Sequence, residues 1–581
     1  MSPKKSNTYK IFLMAGFLLF FLFSFKEIGN FYQTGHAGFI NAEVGLSHLN
    51  TINNGFLKTK FGATNYKVIY NRAPTNDEYY VRYPYLHNLL VSILWKITGP
   101  SEIASRLFVI ILTFFSIVMF FLISQELSYS KHSSTLVYLT LCSFPVFYHY
   151  AGLSNGEISA LFPLSLSYYF YIKYLKKDRS KYKLLLLISL SITCQLFWYG
   201  YIAAFVFFLD SLLSFILHKQ KKDLKMALIL IFTVTINISL FVFHTLWLVG
   251  SLKNAIDAFL WRASIKMPPT HHFTWIEFIL KNLKRWWLFN PVVIFFALAY
   301  LFTSFRRKNQ NARFPLNQRL SLMLLLAPLI FSVLLSHLVH YHDFLIIYFA
   351  FFLAFSSIDF FTKILERSAE KIKKNAFVYS YIFVLLLFAL FGLLKHTEEK
   401  MIDKETDNYE LYYICKVMRN ITNPEDRFII TIKRVQEPQV RFYLRREAFF
   451  MKIVHWAKGY IDSNKFSYYL VETKPAYRPL IKYLLRNFRG YKYDRYFLFN
   501  LRKPGKELRF FNSREEKTNF LFKYFVSPFH QPRKYEEIKD IATIEKIYAR
   551  FEEEEDLYPT LEGTIFHIFP LIPFRNVIAF L

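Results

Sequence analysis

Cysteine is scarce in this sequence, with only three among 581 residues. Cys142 and Cys194 lie in apolar runs, and Cys415 stands alone in the last third of the chain. Neither a disulfide framework nor a thiolate metal site is therefore indicated. The sequence also shows no internal repeat and no low-complexity linker. These absences exclude a disulfide scaffold and a repeat array.

Acidic residues are also few relative to basic ones: 42 Asp and Glu stand against 72 Lys and Arg, which gives a formal net charge of +30. Basic chains often bind nucleic acid, but here Lys and Arg form short clusters between apolar runs, a pattern typical of membrane orientation. Hydrophobic residues make up 54% of the chain, against about 45–50% in ordinary soluble domains. We therefore expect a membrane protein and no nucleic-acid partner.

The apolar runs predict a polytopic α-helical membrane domain, because about 20 predominantly apolar residues suffice to cross a bilayer as a helix. A shorter apolar stretch, 86–97, predicts an interfacial helix. The first run follows three lysines but has no small-residue cleavage pattern after it, so an uncleaved first helix is expected. About eleven spans are predicted, over residues 11–25, 103–124, 134–151, 158–175, 184–199, 201–217, 226–249, 286–305, 319–338, 343–362 and 376–395.

The distribution of Lys and Arg predicts the orientation of these spans. Basic clusters at 173–183, 219–225, 306–319 and 363–374 fall on one side, whereas the turns on the other side, near Asn155, Gly200 and His342, carry none. The basic side is expected to be cytoplasmic. Two long loops, 26–102 and 250–285, and the charged tail then lie outside. The predicted domains are a membrane domain over 1–395, with its active-site region in loop 26–102, and an extracytoplasmic α/β domain over 396–581.

Polar side chains concentrate at the outer ends of the predicted spans, where sugar transfer from a lipid phosphate would need them. An acceptor hydroxyl requires a carboxylate or imidazole base, and a departing phosphate requires cations or hydrogen-bond donors. The candidate catalytic residues are Glu43, Glu157 and His36. The candidate substrate-binding residues are Arg82, Tyr83, Asn155, Arg262, His342 and Asp343.

Structural explanations compete with several of these roles. Glu43 and Arg262 are alternatively solvated loop residues, and Arg82 is alternatively an anchor at headgroup level. His342 and Asp343 are alternatively a helix N-cap with an acid in the first turn. Further expectations concern residues outside the candidate site. Asp77 and Glu78 are expected to be exposed, Asp210 to pair with a neighbouring helix, and the histidine pairs 271–272 and 340/342 to bind no metal.

Several motifs resemble the GT-C superfamily of membrane glycosyltransferases, in the branch that includes protein O-mannosyltransferases and the lipid A aminoarabinose transferase. The resemblance is strongest to the family 39, or dolichyl-phosphate-mannose-type, transferases and covers about residues 8–400. The stretches that carry it are Thr34-Gly35-His36 with Gly38, Gly55–Gly62, Tyr83-Pro84-Tyr85-Leu86, Gly99-Pro100-Ser101-Glu102 with Arg106-Leu107, Asn155 with Glu157, and Tyr341-His342-Asp343-Phe344.

The resemblance implies a polyprenyl-phosphate-sugar donor, inversion at the anomeric carbon and a C-terminal extracytoplasmic domain. It implies no cofactor. The acceptor would be a hydroxyl of a lipid, glycan or protein, and the location a bacterial inner (plasma) membrane. One departure bears on activity: the acid that many members carry after the first helix is replaced by His36 and Gly38, and the nearest acid is Glu43. A lipid-linked-sugar transporter or flippase and an inactive scaffold subunit therefore remain alternatives.

Overall fold

The computed structural model describes residues 8–26, 28–29, 32, 36–65, 67–257, 260, 273–306, 315–367, 371–405, 409–432, 437–451, 457–463, 465–493, 496–502 and 509–510. The chain divides into two compact units. The described part of the first unit consists of the residues up to Glu425 and of a second segment, 437–447. The described part of the second unit begins at Asp426 and resumes at Ala448.

Helices make up almost all of the first unit. Long, continuous apolar stretches form most of them, as expected where backbone polar groups must be satisfied within each segment. Their bounds are α1 Thr8–Phe25, α2 His36–Asn54, α3 Leu86–Thr98, α4 Glu102–Glu126, α5 Lys131–Ser143, α6 Pro145–Tyr150, α7 Gly156–Ser159, α8 Leu161–Lys177, α9 Ser180–Leu196, α10 Tyr199–His218, α11 Lys221–Val249, α12 Trp275–Lys284, α13 Pro291–Arg306, α14 Leu316–Leu334, α15 Ser336–Tyr341, α16 Phe349–Arg367, α17 Lys371–Glu405, α18 Tyr409–Ile421 and α19 Glu437–Leu444.

Six helical segments in the described residues are long and apolar enough to cross a membrane: Glu102–Glu126, Tyr199–His218, Lys221–Val249, Leu316–Leu334, Asp343–Glu366 and Asn375–Lys395. Tyr9–Phe25 and Pro291–Ser304 are shorter apolar helices. Large apolar side chains on these helices point outward, with Phe243 on α11 69% and Phe302 on α13 72% exposed. Such exposure suits a lipid environment rather than water. The chain is a multi-pass membrane protein, and the polytopic helical fold predicted from its sequence is confirmed.

Several of the predicted spans are interrupted. The span predicted over 134–151 is two helices, because Phe144 is extended and Pro145 begins α6. Proline lacks an N–H and disfavours helical backbone in the residue before it, which explains the break. Similarly, α14 ends at Leu334, short of the predicted end at 338, and the span predicted from residue 343 begins with a 3₁₀ turn over Asp343–Tyr348.

The interior of the first unit is aromatic and apolar, with a few paired charges. Phe120 of α4 stacks on Phe351 of α16 with ring centroids 4.1 Å apart. Asp210 of α10 accepts two hydrogen bonds from Arg319 of α14, at 3.0 Å from Nε and 2.5 Å from Nη2. The prediction that Asp210 pairs with a neighbouring helix is confirmed. A bidentate pair of this kind fixes the approach of two helices as well as their charges.

The first unit extends past the predicted membrane exit at residue 395. It includes α18 and α19, both of which follow the last span. In sequence, α19 lies between the first two strands of the second unit, so the chain leaves that unit, contributes α19 to the first, and returns. The boundary at 395 remains a prediction of where the chain leaves the membrane. The compact units themselves divide after Glu425.

The described part of the second unit is α/β. Strands alternate with the short helices α20 Ala457–Asp462 and α21 Arg478–Asn487. Strands β1 and β3 are parallel, whereas β5 is antiparallel to both β3 and β4. Ile481 and Leu484 of α21 belong to the core that the sheet forms. The described strands are β1 Arg427–Thr431, β2 Glu447–Phe450, β3 Tyr468–Glu472, β4 Arg489–Tyr493, β5 Tyr496–Asn500 and β6 Arg509–Phe510, in the spatial order β2-β1-β3-β5-β4-β6.

Candidate functional site

A tight turn over residues 154–159 presents Asn155 and Glu157. Asn155 is the N-cap of α7, and its Oδ1 accepts a hydrogen bond from the Ile158 backbone N–H at 3.0 Å. Gly156 lies against the C-terminal end of α9, so close that a Cβ on it would be 2.3 Å from the Leu196 carbonyl oxygen. Only glycine fits between the turn and that backbone. The sequence Asn-Gly-Glu therefore supplies a cap, the space for close packing and a carboxylate in successive positions.

Two neighbouring helices hold this turn. Asn41 of α2 accepts a hydrogen bond from the Ser154 N–H at 2.7 Å. His87 of α3 lies between two hydroxyls, with Nδ1 2.9 Å from Ser159 Oγ and Nε2 3.4 Å from Ser154 Oγ. Burial lowers the pKa of His87 to about 4. The imidazole is therefore neutral at pH 7, which suits a hydrogen-bonding role and not that of a cationic proton donor.

The 3₁₀ turn over Asp343–Tyr348 reaches the same place. The Tyr348 hydroxyl donates a hydrogen bond to the Glu157 carbonyl oxygen at 2.6 Å. Tyr348 also stacks on Phe197, which in turn stacks on Tyr83, with centroid distances of 6.4 and 6.0 Å. The structure thus joins three widely separated sequence segments, those of Tyr83, Glu157 and Tyr348. Glu157 is buried.

Glu43 lies on α2, half-buried. It is two residues from Asn41, which corresponds to about 200° around a helix. Asn41, Gly45 and His48 therefore share one side of α2, and Glu43 lies on the opposite side. His48 is buried and contacts Asn88 Oδ1 through Nδ1 at 2.9 Å. Hydrogen bonds thus fix the side of α2 with Asn41 and His48, whereas Glu43 is partly exposed.

Arg82 and Tyr83 lie at the entrance to this region, both half-buried. The Arg82 guanidinium is 5.4 Å from the centroid of the Tyr80 ring. The backbone carbonyl oxygen of Arg82 accepts a hydrogen bond from Trp198 Nε1 at 3.1 Å. The Tyr80 and Tyr83 rings stack at 5.8 Å. The guanidinium of Arg82 thus lies over an aromatic ring within this cluster.

His342 and Asp343 lie where α15 meets the 3₁₀ turn. His342 occupies the cap position without a side-chain capping bond, and Asp343 is the acid of the first turn. Arg285 is buried beside them and donates to the carbonyl oxygens of Val339 at 2.5 Å and His340 at 2.7 Å. Burial lowers the pKa of Arg285, and the charge of Asp343 opposes that effect. No three His, Cys, Asp or Glu side chains group as a metal site in the described part of the chain.

The prediction that Glu78 is exposed is wrong. Its side chain is 6% exposed and accepts hydrogen bonds from Arg72 Nη1 and Nη2, both at 2.7 Å. Arg72 lowers the pKa of Glu78 to about 2 because it stabilises the ionised form. Asp77 is exposed as predicted, at 74% for its side chain. The hydrogen bonds between Arg72 and Glu78 connect two parts of loop 67–79, so this pair has a structural function.

Sequence reasoning missed three residues that hold the site: Asn41, His87 and Tyr348. His87 directly follows Tyr83–Leu86, one of the stretches that carry the family resemblance, so the sequence indicates this region but not His87 itself. Asn41 and Tyr348 carried no signal, since each acts through contacts between distant segments. Two predicted residues cannot be placed: Arg262 and the His36 side chain lie outside the described part of the structure.

Comparisons with known proteins identify the fold. No family model matches the chain, and no curated protein matches it. ArnT from Cupriavidus metallidurans bound to undecaprenyl phosphate matches with a TM-score of 0.58 and 11% sequence identity, over 85% of this chain and 98% of ArnT. The apo state of the same protein matches with a TM-score of 0.55 and 11% identity, over 85% and 97%. The chain therefore shares the fold of ArnT, in agreement with the fold that the sequence motifs predicted.

Proposed function

We propose that this protein is a GT-C glycosyltransferase that moves a sugar from a polyprenyl-phosphate-linked donor to a hydroxyl of a lipid, glycan or protein. The observation that carries the proposal is the fold shared over 85% of the chain with ArnT, in a structure bound to undecaprenyl phosphate. The 154–159 turn supports it as well, because the buried carboxylate Glu157 lies there among hydrogen-bonding groups from three distant segments.

In the proposed reaction, the acceptor oxygen forms a bond to the anomeric carbon of the sugar. The bond from that carbon to the phosphate oxygen breaks, and polyprenyl phosphate leaves with the bonding electrons. Glu43, a half-buried carboxylate on α2, takes the acceptor proton. Arg82 holds the phosphate. The turn with Asn155 and Glu157 orients a substrate hydroxyl.

The remaining candidates have less direct assignments. Asp343 and His342 adjoin the turn that ends in Tyr348, so we assign them to holding substrate on that side. His36 and Arg262 keep the roles predicted from sequence, as an alternative base and a further cation. We place the reaction on the outer face of the inner membrane.

The test is a transfer assay with protein in lipid nanodiscs and synthetic undecaprenyl-phosphate hexoses and pentoses, with an envelope extract as acceptor source. Acceptor-dependent release of undecaprenyl phosphate, followed by mass spectrometry, is the expected result. Binding of the donors without release would indicate an inactive scaffold. Movement of intact donor across a liposome membrane, also without release, would indicate a flippase. The two alternatives predicted from sequence are thereby distinguished.

Orientation is predicted from charge and tested by cysteine labelling in intact cells. The three native cysteines are buried, which keeps the background low. Cysteines at the exposed positions Lys58 and Asn487 should react with an impermeant maleimide, whereas cysteines at Lys177 and Lys221 should react only after permeabilisation. Reaction at Lys177 in intact cells, or protection at Asn487, would contradict the outer location of the site or of the tail.

Replacement of Arg82 by lysine is expected to raise the donor KM about tenfold, since an ammonium does not reproduce a bidentate grip on phosphate. The measurement is the rate of undecaprenyl phosphate release against donor concentration. Arg72→Lys, the same change in the same loop, is the control. It loosens the pair with Glu78 and should leave the donor KM nearly unchanged. An unaltered KM in Arg82→Lys would exclude Arg82 from the phosphate site.

A further inference from the structure

The helix that the tail contributes to the first unit packs on α2, the helix that carries Glu43. We infer that α19 positions the catalytic helix, and that Phe442 does so by its contact with Gly45. The inference rests on the proposed function and assigns a role to a segment that lies about 400 residues from Glu43 in sequence. Phe442 is a positioning residue, because it acts through α2 and not on substrate.

The contact between Phe442 and α2 requires glycine. A Cβ on Gly45 would lie 2.7 Å from Phe442 Cε2 and 3.1 Å from Cδ2, well inside van der Waals contact. The Phe442 ring cannot easily yield, since it is 4% exposed and its centroid is 5.0 Å from that of Tyr32 and 6.2 Å from that of Trp95. The ring is thus wedged between α2, α3 and the segment before α2.

The next residue, Tyr443, holds α19 in position through two hydrogen bonds. Its hydroxyl accepts a hydrogen bond from the Tyr32 backbone N–H at 2.5 Å and donates one to Glu102 Oε2 at 3.1 Å. Glu102 also pairs with Lys416 of α18 at 3.8 Å. Burial raises the pKa of Tyr443 well above its usual value, so the hydroxyl keeps the proton it donates. These bonds tie α19 to the start of α4 and to the approach to α2.

The location of Gly45 on α2 explains how the wedge acts on Glu43. The two residues are two positions apart, which places them on nearly opposite sides of the helix. Phe442 therefore packs against the side of α2 that faces away from Glu43, while Asn41 fixes the same helix to the Ser154 turn. With both constraints in place, the distance from Glu43 to a substrate held at that turn is defined. A misplacement of about 1 Å can cost about a hundredfold in rate.

The first test is Phe442→Ala, with Phe449→Ala, an aromatic residue of β2 that is 38% exposed, as the control. Phe442→Ala is expected to lower kcat at least about tenfold with little change in donor KM, because α2 loses its support while the phosphate site is untouched. Phe449→Ala should retain kcat. Size-exclusion chromatography and donor binding verify that each variant is folded.

The second test separates positioning from general destabilisation. Gly45→Ala alone should lower kcat about tenfold, because its methyl collides with the ring. Phe442→Leu in the Gly45→Ala background removes the colliding ring atoms and should restore most of the lost kcat. Suppression of this kind requires direct coupling, whereas independent effects would multiply.

The outcomes distinguish the two levels of the argument. A wild-type protein without turnover on any donor would overturn the proposed function and this inference with it. An active wild type with unchanged kcat in Phe442→Ala would overturn the inference alone. Multiplicative losses in the Gly45→Ala/Phe442→Leu double variant would likewise overturn it. Restored kcat at constant donor KM supports it.

Discussion

Glu43→Gln is expected to lower kcat by at least about a hundredfold, with donor affinity nearly intact. General-base catalysis contributes about 10²–10⁴-fold, and glutamine keeps the shape of the side chain while losing the ability to accept a proton. Glu43 is only half-buried on α2, whereas Glu157 is buried in a turn whose backbone carbonyl oxygen at Glu157 accepts a hydrogen bond from Tyr348. The position of Glu43 therefore suits proton transfer better. The measurement is undecaprenyl phosphate release at saturating donor.

Three further variants check this assignment. Glu157→Gln should raise KM as well as lower kcat, since Glu157 is proposed to orient a substrate hydroxyl. Asp77→Asn changes an exposed acid in the outer loop and should leave both constants unaltered. Near-normal turnover in Glu43→Gln together with its loss in His36→Ala would move the base to the histidine. If Glu43→Gln, Glu157→Gln and His36→Ala all keep normal turnover, another group is the base or the protein is not an enzyme.

Gly156→Ala is the second substitution with a large expected effect. Its methyl carbon would be 2.3 Å from the Leu196 carbonyl oxygen, a backbone atom that has no rotamer by which to move away. The turn must shift, and Glu157 and Asn155 shift with it. We expect a loss of about 1–3 kcal/mol in stability from overpacking and a fall in kcat/KM of about a hundredfold from displacement. Thermal denaturation and the transfer assay measure the two effects.

Gly152→Ala provides the matched control, four residues earlier in the same connection. A Cβ there would be 3.8 Å from the nearest atom, Arg106 Cγ, which is ordinary van der Waals contact. It should change neither stability nor turnover appreciably. If Gly156→Ala were as active as Gly152→Ala, the 154–159 turn would not be the place where substrate is oriented.

The membrane architecture was predictable because its signals are local. Apolar length identifies spans, and the helix α3 and the interhelical role of Asp210 follow from short stretches of sequence. The break at Phe144 was also encoded locally, in Pro145, but a long apolar run concealed it. Local signals therefore recovered the helices, with errors where a hydropathy window spans a backbone interruption.

The candidate site was predictable only in part, since its geometry depends on contacts between distant segments. Nothing near Gly45 in sequence indicates Phe442, and nothing near Glu157 indicates Tyr348. Glu78 was misjudged for the same kind of reason: its polar surroundings predicted exposure, whereas the bidentate bond from Arg72 allows its burial. Motifs named the candidate residues, but the partners of those residues could be identified only from the fold.

The position of α19 has a consequence for biosynthesis. Tyr32 and Tyr443, which share a hydrogen bond beside α2, are separated by 411 residues. At about 5–20 residues per second, synthesis of that interval takes roughly 20 to 80 s. During this time α2 has emerged without the helix that supports it, even after the spans before α19 have been made. A chain that stops before Phe442 would insert in the membrane and still lack the support of α2, so activity depends on synthesis that continues through α19, far beyond the membrane spans.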